Sequence, residues 1–192
     1  MTATNLTDHF LIAMPSLVDS CFEGTLTYIC DHSPGIGAMG IVVNKPLEAS
    51  LSALLQNINI SPKQKVMSSV PLYFGGPVEV DHGFVLHRPP GNWGSTIMVT
   101  AEVGLTTSTD ILGALGSGKS SGSLAQGDYL VSVGYAGWSP GQLENEISRN
   151  SWLSVKAEPK IIFDVPSEKR LKAAMDIIGV SPLNLSSDFG HA

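Results

Sequence analysis

At 192 residues the chain is long enough for one compact domain and short for two. Its 43% of hydrophobic residues against 15% of charged ones supplies the apolar surface of a core and excludes a disordered or coiled-coil chain. Eleven Lys and Arg against seventeen Asp and Glu give a formal net charge of −6. The densest basic group, Lys169, Arg170 and Lys172, follows Glu168 within one helical pattern, so the sequence offers no basic face to duplex nucleic acid.

His9 to Met14 opens a series of strand-length segments. Thr25 to Cys30, Met39 to Val43, Leu72 to Phe74, Phe84 to His87 and Thr96 to Thr100 follow, each β-branched, aromatic or apolar and each bounded by Gly, Pro, Asn or Asp. After the third of these, Leu51, Leu54, Leu55 and Ile58 recur at helical spacing behind Ser50 and predict an amphipathic helix. Thr107 with Asp110 resembles a capping box ahead of Ile111, Leu112 and Leu115, which predicts a second, short helix.

Tyr129 to Tyr135 is the clearest strand. Val131 and Val133 fall on one face and the small Ser132, Gly134 and Ala136 on the other, a pattern that predicts a central strand closely approached by another element. Ser139, Pro140 and Gln142 then supply the best-marked helix start, from which Leu143 and Ile147 face inward. A strand at Lys160 to Phe163 and a last helix close the pattern, with Leu171, Ala174, Met175 and Ile178 on one stripe and Gly179 as the stop. The Gly/Ser stretch Gly116 to Ser123 reads as a surface loop, and Ser181 to Ala192 as an irregular tail.

The first eight residues carry no basic side chain, and the apolar stretch after them is broken by Pro15, which fits neither a signal peptide nor a membrane span. Cys21 and Cys30 lack the spacing of a redox or metal motif and are expected to be reduced thiols. The expectation is a cytoplasmic protein with no membrane association.

Three nucleotide- or nucleophile-like motifs fail on context. Gly113 to Ser120 spells a Walker A loop and Gly118 to Gly122 a GxSxG elbow. Each needs a strand before it and a helix after, and here the order is helix, then loop, then strand. Gly35, Gly37 and Gly40 match a dinucleotide fingerprint, but a β-branched run follows in place of the helix that would receive the pyrophosphate, so the glycines are expected to connect two strands.

His32, His82, His87 and His191 show no metal-ligand spacing, and neither a metal nor a cofactor is expected. Asn44 and the stretch Gly75, Gly76 and Pro77 are compatible with turn geometry alone. The most function-like segment is Tyr135-Ala-Gly-Trp138 leading into Gln142, Glu144 and Glu146. It sets two aromatics at a strand end and polar groups on the next helical turns, where α/β sheets gather ligands. An equally good reading makes Trp138 core, Gln142 a capping partner and the glutamates a solvated face.

At these residues the chain resembles the AlgH/YqgE family of bacterial proteins. The matching stretches run in order along nearly the whole chain: His9 to Pro15, Tyr28 to Cys30 with His32, Gly37 to Leu47, Gly75 to Pro77, Gly83 to His87, and Thr106 to Ser108 with Asp110. Gly134 to Trp138, Gly141 to Glu144 with Glu146 and Ile147, Trp152 with Leu153, and Gly190 to Ala192 continue them. The resemblance implies a single α/β (α+β) domain over residues 1–192, in which a bent, mainly antiparallel or mixed sheet forms a pseudo-barrel flanked by helices. It carries over no catalytic residues; the family's name reflects a role proposed in transcriptional regulation of alginate synthesis.

The leading expectation is therefore a cytosolic, non-enzymatic binding or regulatory protein. Its candidate surface is Tyr135, Trp138, Gln142, Glu144 and Glu146 with His32, Asn44 and His87. The partner would be a protein or a small molecule and not duplex DNA. The alternative is a hydrolase-like enzyme in which Glu144 or Glu146 and a histidine act as acid and base.

Overall fold

The computed structural model describes residues 5–17, 20–60, 70–117, 124–125 and 127–180. Ten strands build one bent sheet: β1 (His9–Ala13), β2 (Leu26–Ser33), β3 (Gly37–Val42), β4 (Pro46–Ser50), β5 (Pro71–Phe74), β6 (Val78–His87), β7 (Thr96–Met98), β8 (Gly104–Thr106), β9 (Tyr129–Trp138) and β10 (Trp152–Lys156). Five helices cover it: α1 (Leu51–Asn57), α2 (Thr109–Ser117), α3 (Gln142–Ser148), α4 (Pro159–Phe163) and α5 (Ser167–Ile177). The strands lie in the order β10-β1-β2-β3-β9-β6-β8-β7, with β5 beside β9 and β4 beside β5. All described pairings are antiparallel except that of β5 with β9.

Alternation along the strands separates two layers of core. Phe10 and Ile12 of β1, Tyr73 of β5 and Phe84 and Leu86 of β6 face the α4–α5 side, where Ile161, Ile162, Ala174 and Met175 join them in the largest cluster. The intervening Leu11 and Ala13 meet Leu143 of α3. Leu72 and Val85 meet Leu51 and Leu55 of α1 and Ile111, Leu112 and Leu115 of α2.

As expected, β9 is central. It pairs with β5 and β6 along its first half and with β3 along its second. The expected close approach is also present: a Cβ on Gly75 would lie 2.1 Å from the Gly134 carbonyl oxygen and 2.7 Å from Ser132 Oγ. The expected facing of this strand, however, holds only as far as Gly134. That residue has φ of 72°, and beyond it the alternation inverts. Val131 belongs to the α1–α2 core, yet Ala136 and Trp138 also reach the helix-covered side with α3, and Tyr135 turns to pack on Phe84 at 5.4 Å. A left-handed residue inside a strand acts as a bulge, and a period of two cannot anticipate one.

Three further expectations need correction. Lys160 to Phe163 is not a strand; it forms α4, with Pro159 in its first turn and Ile161, Ile162 and Phe163 all buried. A short apolar run does not distinguish a buried strand from a buried helix, and Pro159 presets the helical φ. The edge strand comes earlier, at Trp152–Lys156 beside β1. Helix α3 starts at Gln142 rather than Pro140, because β9 runs on to Trp138 and Gly141 caps the helix with φ of 74°. Only the reciprocal half of the capping box survives, the Ser139 N–H donating to Gln142 Oε1 at 3.0 Å. Thr107 caps nothing either, since α2 opens at Thr109 and Asp110 instead accepts the Gly94 N–H at 2.8 Å.

The remaining signals hold. The glycines of the dinucleotide-like motif do connect two strands, β2 and β3, and Gly179 stops α5 with φ of 67°. Lys119 and Ser120 of the Walker-like stretch, the GxSxG residues 118–122 and the tail 181–192 lie outside the described residues. Among the described residues no helix is long and apolar enough to cross a membrane.

The glycine at 134 is expected to be irreplaceable. Gly134→Ala forces a side chain into the left-handed region and sets its Cβ 2.3 Å from the Gly76 carbonyl oxygen. Chemical denaturation is expected to show a loss of about 2 to 4 kcal/mol, the sum of backbone strain and overpacking.

Candidate functional site

Two irregular strands deliver His32 and Trp138 to one place beneath α3. In β2, Ile29 opposes Gly40 and Asp31 opposes Met39, so Cys30 is the extra residue of a bulge. Cys30 stays with the α4–α5 core, and the bulge turns His32 onto the opposite face, beneath α3. On the other side of β3, Gly134 sends Trp138 to that same face. Ala38 of β3 opposes both His32 and Trp138, which places the imidazole and the indole on either side of one strand.

The polar groups of α3 are used to hold this arrangement. Glu146 Oε2 accepts two indole N–H groups, from Trp138 at 2.9 Å and from Trp152 at 2.8 Å, while Oε1 accepts the Gln142 amide at 2.9 Å. The indoles meet edge to face at 5.8 Å, and Phe22 closes the group at 6.3 Å from Trp138 and 5.4 Å from Trp152. Trp138 and Trp152 are buried, so their N–H groups would cost desolvation free energy without the carboxylate. Trp152, on an unpredicted strand, had no local signal linking it to Glu146.

His32 is 2% exposed and wired at both ring nitrogens. Nδ1 accepts the Leu6 N–H at 2.9 Å, which makes Nε2 the protonated nitrogen, and that N–H donates to Glu144 Oε1 at 3.1 Å. His87 is equally enclosed, on β6 and away from α3. Its Nδ1–H donates to the Pro89 carbonyl at 3.1 Å and its Nε2 accepts the Thr106 hydroxyl at 2.8 Å. Gly104 permits this fit, since a Cβ there would lie 2.8 Å from the imidazole. Burial lowers the His87 pKa from its ordinary 6.5. Neither imidazole has a free nitrogen with which to exchange a substrate proton. Asn44 also sits apart: its Oδ1 accepts the Leu26 N–H at 2.7 Å and its Nδ2 donates to the Gly24 carbonyl at 2.9 Å, a brace at the start of β2.

The accessible feature lies beside this network. A cleft of about 520 Å³ runs between the β2–β3 hairpin and the end of β9, walled by Ile36, Met39, Val78, Tyr135, Trp138 and Pro140. Ile36 stands at the hairpin tip with 80% of its surface exposed. Gly37, with φ of 119°, lets the hairpin cross the strand end, where a Cβ would lie 2.2 Å from the Trp138 carbonyl oxygen. Of the predicted residues, Tyr135 and Trp138 border the cleft, while His32, Gln142, Glu144 and Glu146 form its frame. Ile36 was missed because an exposed apolar residue in a turn carries no periodic signal, and Met39 because a half-buried residue near the start of β3 reads as ordinary strand. Among the described residues no three His, Cys, Asp or Glu side chains converge as a metal site would require.

Residues 10–183 match the model of a family described as AlgH-like. The chain belongs to that family. It is 51% identical over 192 residues to a UPF0301 protein of Nitrosospira multiformis, and 49% identical over the same length to one of Dechloromonas aromatica; in both cases the match covers 100% of each chain. The solution structure of the AlgH protein from Pseudomonas aeruginosa is similar at a TM-score of 0.80 and 40% identity, covering 100% of this chain and 98% of that one. A crystal structure from Corynebacterium diphtheriae shares the fold at a TM-score of 0.66 and 18% identity, covering 98% and 95% of the two chains. The curled, half-barrel sheet with its five helices is thus the family's architecture.

Two outcomes follow from the wiring. Glu146→Gln turns one of the two acceptor oxygens into an NH2 donor, so either the two indole N–H groups or the Gln142 amide face a donor in place of an acceptor. It is expected to cost about 1 to 3 kcal/mol in chemical denaturation with a shift in tryptophan emission. His87 makes stability depend on pH. Its folded-state pKa lies below the unfolded 6.5, so the unfolded chain binds the proton first, and stability present above pH 6.5 is lost as pH falls below it. Urea midpoints taken between about pH 7.5 and about pH 5.5 are expected to fall for the native protein and to fall less steeply for His87→Gln.

Proposed function

We propose that this protein acts as a non-enzymatic binding protein of the cytoplasm, with a regulatory role exerted through protein contacts and not on duplex DNA. Its docking surface is the mainly apolar cleft at the hairpin tip, held in shape by α3, and its partner is a protein presenting an apolar side chain to Ile36, Met39 and Tyr135. The observation that carries this reading is Ile36, an isoleucine 80% exposed at the rim of a cleft whose other walls are mainly apolar, with Asp31 and Ser139 as the polar exceptions, and whose frame is a closed hydrogen-bond network. A rigid apolar recess beside an exposed anchor suits binding, because little ordering entropy remains to be lost on association.

Full use of both ring nitrogens on His32 and His87 supports binding over acid–base catalysis. The net charge of −6 supports a protein partner over a nucleic acid.

Ile36→Asp tests the reading. At so exposed a position the substitution is expected to change stability by no more than about 0.5 kcal/mol. It is expected to abolish complementation in a deletion strain. His32→Gln, if it remains folded, is expected to complement. Full complementation by both Ile36→Asp and Tyr135→Ala would remove the cleft as the functional surface, and loss with His32→Gln alone would return the chemistry to the histidine.

A further inference from the structure

The α4–α5 side of the sheet holds a feature unrelated to the cleft. Arg170 of α5 is 7% exposed, and no carboxylate lies within ion-pair distance of it among the described residues. Its Nε donates to the Val165 carbonyl at 2.9 Å and its Nη1 to the Val43 carbonyl. The guanidinium lies over the Tyr73 ring, 5.2 Å from its centroid. Glu168, two residues earlier on the same helix and exposed, acts on the guanidinium only through space and forms no ion pair with it. None of the close partners carries negative charge. Arg88 is treated differently: Asp128 at 3.1 Å and a two-pronged contact with Asp164 neutralise it.

A buried cation without a counter-ion is costly, and proteins commonly pair such a group or place it where a ligand supplies the charge. Arg170 lines a cavity of about 200 Å³ whose other walls include Tyr73, Gly127, Tyr129, Leu130, Ile162 and Phe163. Burial lowers the guanidinium's pKa from its ordinary value and raises that of Tyr129, so the phenol remains a neutral donor.

We propose that this cavity binds a small apolar molecule bearing one carboxylate, with the carboxylate on Arg170 and the apolar body against Leu130, Ile162 and Phe163. One cation in a cavity whose other lining residues carry no charge calls for one negative charge, since a dianion would leave charge uncompensated. The planar guanidinium fork matches a carboxylate, and Nη2 has no carbonyl or carboxylate partner of its own among the described residues. The walls supply apolar burial, as small-molecule sites require.

Benzoate, its neutral counterpart benzyl alcohol and inorganic phosphate serve as probes in a titration of the full chain followed by backbone amide shifts. Benzoate is expected to give saturable shifts at Gly127, Leu130 and Ile162, with benzyl alcohol at least about tenfold weaker. Arg170→Gln is expected to weaken benzoate by about tenfold or more and to leave benzyl alcohol unchanged, and Arg170→Lys to weaken benzoate to a smaller extent. Because Arg170 also braces two carbonyls, the native protein's preference for benzoate over benzyl alcohol decides the matter if the variants fail to fold. Absence of saturable shifts in the native protein, equal affinity for benzoate and benzyl alcohol, or tighter binding of phosphate than benzoate would each overturn the proposal.

Discussion

The architecture depends on the contact between the Gly75–Gly76 turn and Gly134. A Cβ on Gly76 would lie 2.1 Å from the Tyr135 carbonyl carbon, and one on Gly134 2.3 Å from the Gly76 carbonyl oxygen, so the two backbones meet with no room for a side chain. That approach lets β9 hold β5 and β3 in turn along one edge while β6 occupies the other. The left-handed glycine then exchanges the faces of everything downstream. Without that exchange Tyr135 would point where Ala136 now does, and Trp138 would lose both its partner Trp152 and the Glu146 carboxylate.

The exchange explains why the polar residues nearest the conspicuous aromatic pair form a frame. Glu146 and Gln142 tie the end of β9 to α3 and to β10, and Glu144 with His32 ties α3 to the hairpin. A helix of seven residues holds little stability of its own, so these charge-assisted bonds and the buried Leu143 keep it against the sheet. What the molecule leaves open beside the frame is the cleft and, at its rim, the exposed Ile36.

The sheet separates two environments with opposite chemistry. On the α3 side, carboxylates satisfy buried indole and imidazole N–H groups. On the α4–α5 side, Arg170 enters the core with carbonyl oxygens and an aromatic face around it. Side chains that alternate along a strand must face one environment or the other, and each bulge is a point at which the chain changes its assignment.

What the sequence determined by itself was the local grammar. The apolar run and small residues of β9 marked a central, closely approached strand, the glycines at 35, 37 and 40 marked a strand connection, and Gly179 marked the end of α5. Such signals are readable because period, turn chemistry and positive φ are properties of a few consecutive residues. Arg170 was within reach of the same reasoning, as it lies four residues before Ala174 on the buried stripe of α5 and yet reads as one of a solvated basic group. Tertiary structure alone decided the rest. Ile161, Ile162 and Phe163 became helix because β10 had already taken the place beside β1. Glu146 became a core ligand for two indoles, one of them on β10, because a carboxylate's partners are chosen by distance in space, and no spacing in the sequence records which strand will arrive there.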